Sequence, residues 1–290
     1  MHSARMLAIA AAVLSACASV ASSAATRHAG WEIPFGDGTA STYAVVNAGR
    51  PVAVGVLFSA RALDGLPAGS DMHHCVGRAH DGSADGSTRC TETFEHVLAL
   101  PDAIAGRSDV PFKWVLLNWN PRGHIPPGIY DVAHFDVHFQ MAPIAEVFAI
   151  QSGSCGPEAV RCDQFAIAKK PVPANYLHPD FRDVDAVVPA MGNHLIDTSG
   201  GEFHRHPFTW SWIYGAYDGR IIFYEQMVSR AYLLSKPDGC TPIKLPKAFA
   251  TAGYYPTSTC THHDPRTGSY SVSIENFVLR AATPPEAVTK

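Results

Sequence analysis

One short segment of the sequence places side chains that bind metals at every second position. Residues 134–139 read His-Phe-Asp-Val-His-Phe. Because successive side chains of a β-strand point to opposite faces, His134, Asp136 and His138 would share one face and the apolar residues the other. Neutral imidazoles commonly bind transition metals, and a nearby carboxylate coordinates the ion or orients a ring. The alternation therefore predicts a metal site on one strand face, with a solvated face of half-buried histidines as the alternative.

Strand geometry limits how many of these histidines can bind one ion. The Cα atoms of His134 and His138 would lie about 13 Å apart, at roughly 3.3 Å per residue. With ligand bonds of about 2.1 Å, both reach a common ion only if the strand is bulged or strongly coiled. Otherwise one histidine binds the metal and the other supports it. The remaining ligands must come from other segments, and His194 and Glu225 are the strongest candidates.

The predicted metal ligands are thus drawn from His134, His138, His194 and Glu225, and the candidate catalytic groups are Glu225 and Asp136. Imidazole combined with carboxylate suits a divalent transition metal: zinc, iron, copper, nickel or manganese. The spacing does not choose among these ions.

A β-hairpin is predicted around Asp218-Gly219, because this dipeptide between two apolar runs favours a two-residue turn. The runs cover residues 208–217 and 220–227. In the register that sets Trp212 opposite Glu225, the carboxylate shares a face with aromatic side chains. A buried carboxylate there has to be protonated, paired with a cation or bound to a metal, or else be a hydrogen-bonded structural group. The aromatic residues of this predicted pocket are Trp210, Trp212, Tyr214 and Phe223.

The elements that must position these residues are mostly strands. Short alternating runs separated by Gly, Pro, Asp and Asn predict a mainly β fold, an antiparallel β-barrel or sandwich with a few short helices. The sequence shows no composition break that would mark a linker, so residues 26–280 are predicted to form one β-rich domain. Residues 281–290, which contain Pro284 and Pro285, are predicted to be a flexible tail.

The amino-terminal residues and the cysteines indicate export. Residues 1–25 have the order of a secretory signal, with Arg5, an apolar stretch and small residues before a cleavage site. A lipoprotein signal ending at Cys17 is the alternative. The six later cysteines, an even number, fit disulfides in a periplasmic or extracellular compartment. Their simplest pairing joins Cys75 to Cys90, Cys155 to Cys162 and Cys240 to Cys260.

Composition and missing motifs exclude several classes of function. The chain has 22 basic and 26 acidic side chains and no long basic cluster, which disfavours nucleic acid as a partner. No stretch after the signal approaches the roughly 20 apolar residues of a transmembrane segment. The signatures of serine hydrolases, kinases and dinucleotide-binding enzymes are absent. A small-molecule ligand or substrate remains compatible with the sequence, and so does a homo-oligomer.

Three stretches together resemble a known family. They are residues 119–139, which end in HFDVHF, residues 188–197 with Met-Gly-Asn-His, and the hairpin of residues 208–227. This pattern is similar to that of exported bacterial proteins of unknown function that share the domain first seen in a sigma-E-regulated Thermus protein. The resemblance covers roughly residues 40–280 and implies a β-rich, exported protein with no established activity. The polar positions of the family pattern correspond to His134, Asp136, His138, His194, Asp197 and Glu225.

Two departures from the family pattern concern neighbours of these positions. Leu195 replaces the usual Trp, and Gln226 replaces the usual Pro. Neither removes a candidate ligand, although Leu195 alters a pocket wall. The leading hypothesis is an exported protein with a His/Glu metal site in a β-lined pocket, which acts as an enzyme if the ion keeps an open position. The alternative is a metal-free envelope protein that binds a small molecule or serves stress-response assembly.

Overall fold

Short apolar runs broken by turn residues form the strands of two antiparallel sheets. The computed structural model describes residues 24–69, 93–150 and 165–286, together with the backbone of residues 74–76 and 89–91. The strands are β1 Thr26–Phe35, β2 Gly38–Asn47, β3 Arg50–Phe58, β4 His74–Val76, β5 Arg89–Thr91, β6 Phe94–Ala99, β7 Trp114–Asn120, β8 His134–Gln140, β9 Phe181–Val188, β10 Gly192–Asp197, β11 Trp210–Tyr217, β12 Arg220–Ser229, β13 Gly239–Pro242, β14 Gly253–Tyr255, β15 Ser258–His263, β16 Tyr270–Glu275 and β17 Val278–Arg280. The short helices are α1 Asp102–Ala105, α2 Ile144–Phe148, α3 Phe165–Ala168 and α4 Arg230–Leu234.

The two large sheets have simple antiparallel topologies. One has six strands in the order β1-β2-β3-β16-β15-β13, and the other has seven in the order β6-β7-β8-β12-β11-β10-β9. Two further pairs are β14 with β17 and β4 with β5. The described strands form open sheets that pack face to face. Of the two predicted alternatives, a barrel and a sandwich, the fold is therefore the sandwich.

The apolar core lies between these two sheets. Phe58 of β3 and Phe135 of β8 meet across it, with ring centroids 5.3 Å apart. The other face of the seven-stranded sheet is also covered, because two smaller apolar clusters pack on it around Trp114 and Tyr130. As a result, every residue of β8 is buried. The polar side chains of this strand therefore lie in the interior, and the solvated face considered as an alternative is wrong.

The predicted hairpin is present, but its register differs from the prediction. Tyr217 pairs with Arg220 across the turn as expected. Between Gly215 and Ala216 the register then shifts through a bulge, so that Glu225 faces Ile213 and not Trp212. Because the side-chain period is two, a one-residue shift moves the aromatic residues of β11 to the other face of the sheet relative to Glu225.

The predicted aromatic pocket is therefore divided by the sheet. Trp212 and Tyr214 belong to the core between the sheets, and Trp210 packs against that core. Of the four predicted pocket residues, Phe223 alone lies on the same face as Glu225. The physical reason is the bulge; a glycine inside a strand, here Gly215, often marks one, and the register prediction did not use this signal.

The cysteine and terminal predictions have different outcomes. The disulfide between Cys240 and Cys260 is confirmed and joins β13 to β15. The register of β4 and β5 pairs positions 75 and 90, whose side chains lie outside the described residues, as do Cys155, Cys162, Cys17 and residues 1–23. Residues 282–286 of the predicted tail hydrogen-bond to Phe249, Asn175 and Tyr176, and residues 287–290 lie outside the described part. No helix in the described part is long and apolar enough to cross a membrane.

Candidate metal centre

Three predicted ligands from three strands meet on the covered face of the seven-stranded sheet. His138 of β8 and Glu225 of β12 face one another in the strand register. His194 lies on β10, and β11 separates this strand from β12. His194 pairs with Gly215 of β11, and its side chain reaches across that strand to the same point. The ligand atoms of His138, His194 and Glu225 all lie within 4.8 Å of one another.

Gly215 makes room for this convergence. The ring of Phe223 covers this glycine so closely that a Cβ there would lie 1.9 Å from the ring. In this position the Phe223 ring packs edge-on against both imidazoles, at centroid distances of 4.9 Å to His138 and 5.3 Å to His194. Phe223 thus forms an apolar wall beside the three polar groups.

The hydrogen bonds of both histidines define which ring nitrogen is free. His138 Nδ1 lies 3.2 Å from Leu116 O, and His194 Nδ1 lies 3.1 Å from Ala186 O. A carbonyl oxygen only accepts, so in each ring Nδ1–H donates and a neutral ring keeps its lone pair on Nε2. Both Nε2 atoms are directed towards Glu225, at 3.5 Å from Oε1 for His138 and 3.8 Å from Oε2 for His194.

Burial determines the charge of these groups. His138 and Glu225 are each 1 % exposed, and His194 is 9 % exposed. Desolvation lowers the pKa of both histidines to about 4, so both imidazoles are neutral at neutral pH. Burial also raises the pKa of Glu225 well above its ordinary value, and the negative charge of Asp136 acts in the same direction.

Two of the converging atoms lack a hydrogen-bond partner. His138 Nε2 and Glu225 Oε2 are buried and accept no hydrogen bond from the described residues. Within that part of the chain, the ion pairs of Glu225 are both with histidines and none with Lys or Arg. A buried polar atom without a partner costs about 1–3 kcal/mol, so this arrangement favours a further group, such as a cation, between the three side chains.

His134, the fourth predicted ligand, does not join this group. Strand β8 pairs with β7 and β12 without a register shift, so no bulge shortens the distance between His134 and His138. A shared ion for His134 and His138 was predicted only for a bulged or coiled strand; β8 is regular, so the structure does not bring His134 to this group. His134 instead meets His124 and Asp136 in a second group.

Asp136, the second predicted catalytic residue, is engaged in that second group. Its Oδ2 accepts a hydrogen bond of 2.8 Å from Asn120 Nδ2. Burial alone would raise the pKa of Asp136, but its interactions with the imidazoles of His134 and His124 lower it well below its ordinary value. The carboxylate is thus ionised, and its partners are Asn120, His124 and His134 and not the residues of the His138 centre.

His124 is a candidate ligand that the sequence prediction missed. It lies in a loop without periodicity, and the loop folds back so that His124 N donates to Tyr130 O at 3.2 Å. Gly123 allows this approach, since its φ is +72° and a Cβ would lie 1.9 Å from Tyr130 O. The Gly-His pair close before the HFDVHF strand is the one local signal that indicates this position.

Two other groups of polar residues are separate from the centre. Asp197 forms an ion pair of 2.6 Å with Lys244 and contacts neither histidine group. His262 and Glu275 lie near Cys240 and Cys260, but these cysteines form a disulfide and offer no thiolate to a metal.

Comparison with known proteins adds no assignment to this geometry. No protein-family model, curated protein or solved structure matches the chain. The class that the fold and the site define is therefore a mainly antiparallel β-sandwich with buried His/Glu and His/Asp groups that can hold a metal ion.

Proposed function

We propose that the protein binds a divalent transition metal ion through His138 Nε2, His194 Nε2 and the carboxylate of Glu225. The observation that supports this proposal is the convergence of three buried ligand atoms of which two have no hydrogen-bond partner. Two histidines and one carboxylate form a ligand set used by zinc and by non-haem iron, and copper, nickel and manganese also accept these ligands.

A shared proton does not satisfy the three groups as well as a cation does. A protonated Glu225 can donate to a histidine, but its oxygens lie 3.5 Å and 3.8 Å from the two Nε2 atoms. Hydrogen bonds from a hydroxyl group are about 2.5–3.0 Å long, so neither distance fits one. A metal ion bound between the groups would draw them inward, because ligand atoms on one tetrahedral ion are about 3.4 Å apart, whereas those of the three groups lie within 4.8 Å of one another.

The surroundings of the three ligands favour metal binding in a further way. Each imidazole has its Nδ1–H fixed by a backbone carbonyl, which orients the ring and keeps the Nε2 lone pair directed at the centre. The low pKa of both rings means that protons do not compete for these lone pairs at neutral pH.

Enzymatic activity is the proposed consequence of this binding. His138, His194 and Glu225 would leave at least one coordination position of a bound ion open, and Lewis-acid polarisation of a carbonyl or activation of water is the chemistry that such an ion would supply. His194 is the most exposed of the three ligands, so a substrate would approach from its side. Hydrolysis of a p-nitrophenyl ester by the zinc-loaded protein, lost in Glu225→Gln, supports this step. Equal rates in the two proteins would restrict the role of the site to metal holding.

We also propose that the protein is exported and belongs to the family that its motifs resemble. The disulfide between Cys240 and Cys260 supports export, since disulfides persist in the periplasm or outside the cell. Three of the motif positions that carry the resemblance, His138, His194 and Glu225, meet at one point, which supports a shared site.

The test is metal analysis of untagged protein after removal of metal and reloading with zinc or cobalt. We expect His194→Ala and Glu225→Gln each to bind one equivalent less than the wild type. His206→Ala, which removes an exposed histidine on the loop after β10, is the matched control and should keep the wild-type stoichiometry. If His194→Ala and Glu225→Gln retain the wild-type stoichiometry and affinity, the proposed centre is wrong.

A further inference from the structure

We propose that His124, His134 and Asp136 form a second, separate site for a divalent transition metal ion. The two Nε2 atoms of His124 and His134 lie 3.0 Å apart. Asp136 completes a triangle, with Oδ1 at 3.1 Å from His134 Nε2 and Oδ2 at 3.4 Å from His124 Nε2. Ligand atoms bound to one tetrahedral ion at about 2.0–2.1 Å are about 3.4 Å apart, so the triangle already has nearly the size that such an ion requires.

The tautomers of both rings direct lone pairs into this triangle. His134 Nδ1 lies 2.7 Å from Val132 O, and His124 Nδ1 lies 2.7 Å from Ile125 O. Because a carbonyl accepts only, each Nδ1 carries the proton and each neutral ring has its lone pair on Nε2. Two lone pairs at 3.0 Å repel one another, so a proton or a metal ion has to lie between them.

A single proton leaves part of this group unsatisfied. A proton on one Nε2 can be donated to the other ring or to Asp136, so one of these two acceptors keeps a lone pair without a hydrogen bond from it. A metal ion engages both rings and Asp136 together. The three ligands also have the supporting bonds typical of metal sites: a backbone carbonyl on each imidazole, and Asn120 Nδ2 on the carboxylate at 2.8 Å.

Aromatic rings cover this site on the His134 side, and the His124 side is accessible to solvent. His134 is fully buried and has the rings of Tyr130 and Phe208 beside it, at centroid distances of 6.4 Å and 5.5 Å. The His124 side chain is 32 % exposed. An ion would therefore have a route from solvent on the His124 side.

The second site is distinct from the His138 centre. His134 and His138 are four residues apart on a strand without a bulge, so their Cα atoms are separated by about 13 Å. Bridged pairs of metal ions lie about 3.5–4 Å apart, so ions bound to these two histidines share no bridging ligand. The covered face of the seven-stranded sheet thus carries two mononuclear centres.

Metal stoichiometry of single and double variants tests this inference. Cobalt is the probe, because its visible spectrum reports the ligands of each bound ion, and mass spectrometry of the metal counts the equivalents. We expect two equivalents in the wild type, one in His124→Ala, one in His194→Ala and none in the double variant. His206→Ala, an exposed histidine outside both groups, should keep both equivalents.

The variants separate failure of this inference from failure of the first proposal. One equivalent in the wild type that survives His124→Ala and is lost in His194→Ala overturns the second site alone. One equivalent that is lost in His124→Ala and survives His194→Ala supports the second site and overturns the first. Asp136→Asn gives an independent check, because it keeps the shape of the side chain and is expected to lose the same equivalent as His124→Ala. Circular dichroism verifies that each variant is folded.

Discussion

Replacement of Glu225 by glutamine should change stability in opposite directions without and with metal. Glutamine keeps the shape of the side chain, removes its charge and adds an amide that can donate to a histidine lone pair. In metal-free protein at neutral pH the wild type holds a carboxyl group that is 1 % exposed and has an oxygen without a partner. The variant removes that penalty, so we expect its free energy of unfolding to be higher by about 1–3 kcal/mol.

The pH dependence of the metal-free protein follows from the direction of the pKa shift. Burial raises the pKa of Glu225 in the folded state above its ordinary value of 4.5, so the folded state binds the proton more tightly. The contribution to stability is therefore fully present below about pH 4.5 and is lost as the pH rises towards the pKa of the folded state. Glu225→Gln lacks this loss, so its advantage should be small in acid and should grow as the pH rises.

Metal should reverse the order of the two proteins. A ligand at about 1,000 times its dissociation constant stabilises the folded state by about 4.1 kcal/mol. For a chain of this size that is an increase in Tm of about 8–16 °C. The variant has lost the only anionic ligand of the centre and should gain little. With saturating zinc, the wild type should therefore be the more stable protein by about 1–3 kcal/mol.

The assay is urea unfolding followed by circular dichroism, in chelator and in saturating zinc. Both proteins should carry His124→Ala, so that only the first centre contributes. Glu146→Gln is the matched control, because it removes an exposed carboxylate, 55 % accessible and paired with Arg220 on the surface, and should change stability by less than about 1 kcal/mol. If Glu225→Gln lowers stability equally in chelator and in zinc, Glu225 is a structural group and the reasoning is wrong.

Three further changes test other parts of the structure. Hydrogen bonds to Glu275 and Asp238 raise the pKa of His262 to about 9 from 6.5, so its contribution to stability is present below about pH 6.5 and is lost up to pH 9. His262→Gln should remove this dependence in urea unfolding, with a small amplitude because the side chain is 33 % exposed. Gly215→Ala should lower stability by about 1–3 kcal/mol and weaken cobalt binding in a titration, because the added Cβ displaces Phe223. Replacement of both Cys240 and Cys260 by serine should lower the free energy of unfolding by about 3 kcal/mol without changing the number of metal ions bound.

Each of these three predictions has an outcome that would contradict it. An unchanged stability profile between pH 6.5 and 9 in His262→Gln would show that its ion pairs contribute nothing in solution. Gly106→Ala is the control for Gly215→Ala, because a Cβ at Gly106 meets nothing within 4 Å, and equal effects of the two substitutions would refute the packing argument. Loss of bound metal in the serine variant would connect the disulfide to the centres, contrary to the separation described above.

Local sequence patterns were sufficient to predict the strand that contributes to both histidine groups. In residues 134–139 the alternation of polar and apolar residues placed His134, Asp136 and His138 on one face and Phe135 in the core, as the structure shows. The reason is that the two-residue period of a strand is a property of the backbone itself. The mainly β fold, the turn at Asp218-Gly219 and the pairing of Cys240 with Cys260 rest on similarly local signals.

The division of the candidate ligands between two groups is decided only by the tertiary structure. A bulge beside Gly215, with Ile222 as the extra residue on β12, sets which residues of β11 share a face with Glu225, and the alternating pattern alone does not define this register. Likewise, His124 reaches His134 through a loop closed at Gly123, and His194 reaches Glu225 across an intervening strand. Such contacts depend on register and loop closure between distant segments, which the full set of packing interactions determines and a linear pattern does not encode.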